Sequence, residues 1–161
     1  MLFLNGTNLG DNVTQEKMDI SYNTPSFFDI RGSFTLNGNN ITVIADFMSY
    51  IDINNLKAYI TVNEKTTTKN IGSNGETEFH HILMKMLSSS NGNNMNFEAG
   101  KYQRLEFTFD MSSTNVEELD DLEVAIWIQN SSTKEVLNSR FAYEYSEHVY
   151  PVQNVNITTI G

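Results

Sequence analysis

The sequence predicts an all-β domain, an antiparallel sandwich of about seven strands, and three observations predict it. From about Phe27 onward, residues two apart repeatedly share apolar character, as on one face of a pleated strand. The alternating runs are separated by stretches rich in Asn, Ser, Thr and Gly, whose side chains favour turns over ladders. No segment sustains a helical period.

In chain order, Leu2-Phe3-Leu4-Asn5-Gly6 is a short strand followed by a turn signal, and a polar stretch through Thr24-Pro25 separates it from the regular alternation. This places a boundary near Thr24. Phe28 to Leu36 and Ile41 to Phe47 alternate on either side of Asn37-Gly38-Asn39-Asn40, residues that tolerate positive φ, and together predict a β-hairpin. Lys57 to Val62 is the next strand. Phe79-His80-His81-Ile82-Leu83-Met84-Lys85-Met86-Leu87 is also read as strand, although Met and Leu are good helix formers. Ser88 to Asn94 is a turn-forming run, and Leu105 to Met111 resumes the alternation. Thr114 and Glu117 have capping-box spacing, which predicts a single helical turn over 114–119. Leu122 to Ile128 and Val136 to Tyr145 complete the set, so the sandwich is expected to be immunoglobulin- or fibronectin type III-like.

A chain of 161 residues accommodates one domain with short appendages: 1–24 as an N-terminal appendage, 25–146 as the sandwich and 147–161 as a tail or linker. Apolar residues at 39% and only two prolines indicate a folded chain rather than a disordered one. The net charge of -10 repels phosphate backbones and anionic membrane surfaces, which argues against nucleic acid as a partner. No apolar run approaches the roughly 20 residues that span a bilayer. The absence of cysteine excludes a disulfide framework, thiolate metal sites and a cysteine nucleophile. The first residues lack a basic leader followed by an extended apolar stretch, so they are not read as a signal peptide, and a fragment starting at an added methionine fits them.

Candidate chemistry is sparse. His80 and His81 are strand neighbours and point to opposite faces, so they do not easily share a metal, and His148 stands alone. Glu117, Glu118, Asp120, Asp121 and Glu123 supply calcium-type oxygen ligands, yet without the alternating spacing and central glycine of the helix-loop-helix motif; no metal and no cofactor is expected. A Gly-x-Ser-x-Gly elbow, a phosphate loop and a Gly-rich dinucleotide fingerprint are all missing, so no enzyme is predicted. Asn-x-Ser/Thr triplets at Asn5, Asn12, Asn40, Asn130 and Asn156 carry little weight, because about four are expected by chance in so Asn- and Ser-rich a chain. Aromatics remain. Phe141, Tyr143 and Tyr145 fall on one strand face, where they could stack on sugar rings if exposed. Burial of about 150 to 250 Å² per ring favours the core for Phe141 and Tyr143, and Trp127 between Ile126 and Ile128 is likewise expected inside.

Two stretches, FHHILMKMLSSSNGNNMNFEAGKY at 79–102 and LEVAIWIQNSSTKEVLNS at 122–139, resemble the C-terminal domain of the outer membrane protein-28-related family of Gram-negative bacteria. The likeness spans roughly 25–145, and Trp127 departs from the family's smaller aromatic. The resemblance implies an exported protein of the periplasm, outer membrane surface or extracellular space, with a thioredoxin-like domain commonly preceding the β-domain. Leu2 to Gly6 would then be a remnant strand of that domain, and its redox cysteines would lie upstream. The resulting expectation is a non-catalytic interaction or spacer domain whose partner is an unidentified protein or envelope component, presenting loops 88–95 and 114–121 from a rigid scaffold. The alternative is a carbohydrate-binding module using Tyr143, Tyr145 and Trp127.

Overall fold

A computed structural model describes residues 2–10, 12–69 and 75–144. The elements are β1 (Leu2–Leu4), β2 (Thr7–Gly10), α1 (Gln15–Asn23), β3 (Phe28–Asn37), β4 (Asn40–Ser49), β5 (Ile53–Thr67), β6 (Phe79–Met86), β7 (Asn93–Phe97), β8 (Tyr102–Asp110), β9 (Leu122–Asn130), β10 (Val136–Phe141) and β11 (Tyr143–Glu144). Two sheets make an antiparallel sandwich: β10-β9-β5-β6, with β7 also on β5, and β11-β3-β4-β8. Only the two-residue β11 runs parallel to its neighbour.

The alternation of the sequence is the inward register of the strands. Phe28, Ile30 and Phe34 of β3 face Ile41, Val43, Ala45 and Phe47 of β4, while Leu56, Ala58, Ile60 and Val62 of β5 match Leu122, Val124, Ile126 and Ile128 of β9. These residues are buried and form one core. Burying a Val, Leu, Ile or Phe contributes about 1.5 to 3 kcal/mol each, so this register fixes the pairing. Gly32 occupies an inward position because the sheets approach closely there: a Cβ on it would fall 2.3 Å from Ile126 Cδ1.

The β3–β4 hairpin closes through Gly38 and Asn39 with Asn37 opposite Asn40, as expected. The segment Phe79–Met86 is strand despite its Met and Leu, because β5 is long enough to pair β7 with its first half and β6 with its second. Seven strands form the two main faces; β7, β11 and the β1–β2 hairpin are shorter additions.

Other expectations need correction. The polar stretch after Gly10 contains α1, whose N-cap Thr14 accepts a hydrogen bond from the Lys17 N–H at 3.3 Å. Its residues are unburied, so no apolar stripe marks it. Thr114 does not start a helical turn: it ends a 3-10 turn at Met111–Ser113, donating from Oγ1 to the Met111 carbonyl at 2.6 Å. A second 3-10 turn forms at Leu119–Asp121. The turn run from Ser88 is shorter than expected, because Asn93 and Asn94 already pair with β5. The tail at 147–161 lies outside the described residues.

Candidate functional site

Trp127 is not in the core. It lies on β9 between the inward-facing Ile126 and Ile128, so its side chain emerges on the outer face, where it is half-buried. Cross-strand Tyr59 lies directly opposite, and the two rings stack with centroids 5.0 Å apart and planes 10° from parallel. Aromatic pairs of this kind contribute about 0.5 to 1.5 kcal/mol beyond their area. Behind Tyr59 is Gly92, at φ +70, where a Cβ would come within 2.8 Å of the Tyr59 ring. Glycine here meets two demands at once, the left-handed backbone and the flat approach of the ring.

On the other side of Trp127 runs β10, with small Ser139 opposite the indole and Phe141 opposite small Ala125. Large and small residues thus sit on crossed diagonals. Between them opens a solvent-facing depression of about 340 Å³, lined by Trp127, Phe141, Val136 and the small Ala125 and Ser139, with Ile126 and Arg140 also at its border.

Phe141 and Tyr143 are exposed, by 57% and 53%, rather than buried. A register shift between Val136 and Asn138 moves β10 out of the phase that simple alternation predicts, and the strand breaks at Ala142, which takes the inward place. Tyr143 then pairs opposite Ser33 in the other sheet, with Arg140 donating to its hydroxyl at 3.1 Å, so Tyr143 and Trp127 are not in one sheet. Tyr145 and His148 lie outside the described residues.

Two carboxylates of the acidic group, Glu117 and Asp121, are occupied with backbone. Fully buried Glu64, at an inward position of β5, accepts the N–H of Glu117 at 2.9 Å and of Glu118 at 2.6 Å. Glu117 in turn accepts from the Thr67 hydroxyl and from the N–H groups of Thr68 (3.0 Å) and Lys69 (2.7 Å), and Asp121 accepts from Thr66 N–H at 2.8 Å. The carboxylates therefore fasten 117–121 to β5. His81, at φ +54, reaches Glu123 with Nδ1 2.7 Å from Oε1, whereas His80 contacts Glu78 at 3.0 Å. Among the described residues no three His, Cys, Asp or Glu side chains are placed to hold a metal ion. Both loops are fastened: Ser88 and Met95 at the ends of the first are buried while Ser89, Ser90 and Asn91 between them are exposed, and the second is held to β5 through Glu117 and Asp121.

No helix of the described residues is long and apolar enough to cross a membrane. No family model matches the chain, and no curated protein matches it. Among solved structures, HBP35 of Porphyromonas gingivalis is similar with a TM-score of 0.63 at 13% identity, over 87% of this chain and 50% of that chain. The chain thus spans half the length of that protein. A domain of the outer membrane lipoprotein Omp28 from Porphyromonas gingivalis is similar with a TM-score of 0.53 at 14% identity, over 75% of this chain and 92% of that one. At such identities the likeness establishes the shared β-sandwich fold.

Proposed function

We propose that the chain is a non-catalytic interaction and spacer module of an exported, envelope-associated bacterial protein. The observation that carries this reading is the fold likeness to nearly the whole of an outer membrane lipoprotein domain. The engagement of Glu64, Glu117 and Asp121 with backbone N–H groups also supports it, because it leaves these carboxylates in a holding role. The placement of β3-β4-β8 against β10-β9-β5-β6 fits an immunoglobulin- or fibronectin type III-like sandwich.

The N-terminal unit is read as the end of a preceding thioredoxin-like domain. A two-stranded hairpin with a helix is marginal by itself, and Met18, Ile20 and Tyr22 of α1 are exposed as though awaiting cover. Its Asn5 carbonyl accepts the Val136 N–H at 2.9 Å, which tethers it to the sandwich at 25–146.

The test is fractionation of the parent protein in its native host, followed by protease treatment of intact and lysed cells. Recovery with the envelope fits the reading; recovery with the cytosolic enzymes overturns it. A second reading, carbohydrate binding, is favoured by the placement of half-buried Trp127 and exposed Phe141 on the outer face around one depression.

A further inference from the structure

We infer that the depression between β9 and β10 is a binding slot for one pyranose ring of a neutral glycan, with the free face of Trp127 as its stacking wall. This rests on the reading of the chain as a binding module and names the site and the class of ligand.

Size comes first. About 340 Å³ falls within the range of roughly 300 to 1,000 Å³ for small-molecule pockets, whereas a protein partner needs about 800 Å² of surface per side. The slot suits a ring, not a protein face.

Its chemistry narrows the ring. Trp127 and Phe141 offer apolar faces to the axial hydrogens of a sugar, and Ser139, exposed on the same outer face of β10, offers a hydroxyl that can donate to or accept from its hydroxyl groups. Charge decides the rest. An anionic sugar meets a chain of net charge -10, and the guanidinium of Arg140 is already directed at the Ile30 carbonyl (3.2 Å) and the Tyr143 hydroxyl (3.1 Å). A cationic ligand finds no carboxylate among the residues that line the slot. A neutral, hydroxylated ring satisfies both conditions.

Preorganisation is the third point. Trp127 is held by the Tyr59 stack, and Tyr59 is backed by the glycine at 92, so the indole face needs little ordering on binding. The small residues Ala125 and Ser139 keep the space beside it open.

Trp127 is the sole tryptophan of the chain, so its emission reports the slot directly. The test titrates the protein with neutral oligosaccharides of glucose, mannose, galactose and N-acetylglucosamine, following that emission and the heat of binding. At least one sugar is expected to give a saturable response. Phe141→Ala should weaken it about tenfold or more, Ser139→Leu should abolish it by filling the slot, and Tyr143→Ala should change it less than about twofold. Both substituted slot residues are exposed, and circular dichroism checks that each variant folds.

Three outcomes overturn the inference: no saturable response to any sugar by folded protein, binding that survives Ser139→Leu, or a response to N-acetyl-phenylalaninamide alone, which assigns the slot to a peptide side chain. Failure here leaves the fractionation result untouched. Envelope recovery without sugar binding removes the glycan and keeps the module, and cytosolic recovery removes the module even if sugar binds.

Discussion

Strands β9 and β10 lie side by side in one sheet, yet they use their side chains in opposite ways. In β9 every second residue from Leu122 to Ile128 is buried. In β10 no residue is buried, and the positions opposite the core residues Ile128 and Ile126 hold Asn138 and Arg140. Those two donate to Phe28 and Ile30 carbonyls of β3, at 2.7 and 3.2 Å. β10 thus closes the sandwich by capping the edge of the opposite sheet, where an unpaired row of backbone groups would otherwise stand. One strand makes the core, and its neighbour makes the seam and the outer slot.

The sharpest way to break this contrast is to truncate an apolar residue in each strand. Ile126→Ala removes a fully buried side chain and should cost about 2 to 5 kcal/mol in urea denaturation. Phe141→Ala, with its ring exposed, should cost no more than about 0.5 kcal/mol. Equal losses would mean that Phe141 is core after all and that the shift between Val136 and Asn138 is absent.

A second test concerns the polar residue that interrupts the inner face. Glu64 continues the inward register of β5 beyond Val62 and pairs with Leu122, so alternation would put an apolar residue there. Glu64→Ala leaves the N–H groups of Glu117 and Glu118 without their acceptor and should cost about 1 to 3 kcal/mol. Hydrogen exchange should quicken at those two amides while the β3–β4 ladder is unaffected. Unchanged protection at 117 and 118 would refute the fastening role of this carboxylate.

These residues show how much was legible in the sequence. The main strands could be read because burial on one face writes a period of two, as in Ile41-Thr42-Val43 and Leu122 to Ile128. Trp127 defeated that logic by chemistry rather than by phase: its position is outward, and a large aromatic was assigned to the core because of its size. Phe141 and Tyr143 defeated it by phase, since a one-residue shift reverses every face that follows and leaves no local mark. The partners of Glu64 were out of reach because 53 residues separate it from Glu117. Nothing in either segment alone pairs them, and the acidic run at 117–123 invited a calcium reading instead. The helix α1 was not read at all, because its exposed surface leaves no amphipathic stripe in the sequence.

A smaller effect sharpens the capping role of β10. Asn138→Ala removes the donor to the Phe28 carbonyl and should cost about 0.5 to 1.5 kcal/mol, with Asn138→Asp costing at least as much because a carboxylate cannot donate to that oxygen. If Asn138→Ala is neutral, water replaces the cap and the seam depends on Arg140 and β11.

The smallest expected effect tests the other sheet, whose outer face is polar where β9 and β10 offer rings. There Arg104 makes a two-point contact with buried Asp46, at 2.8 and 2.7 Å, and Tyr102 donates to Asp29 at 2.7 Å beside Arg31. Burial, followed by the hydrogen bond and the charge of Asp29, raises the Tyr102 phenol from 10.0 to about 12, with Arg31 opposing and Tyr50 adding slightly. The folded state therefore holds this proton more tightly than the unfolded chain does. Its contribution is complete below pH 10 and is lost as the pH rises through about 12. Tyr102→Phe has no proton to lose, so its stability should fall less steeply over that window than that of the parent chain, while the lysines titrate alike in both. Parallel curves from pH 9 to 11.5, measured by urea denaturation, would show that the phenol is as solvated in the folded state as in the unfolded one and that the Asp29 contact does not hold it.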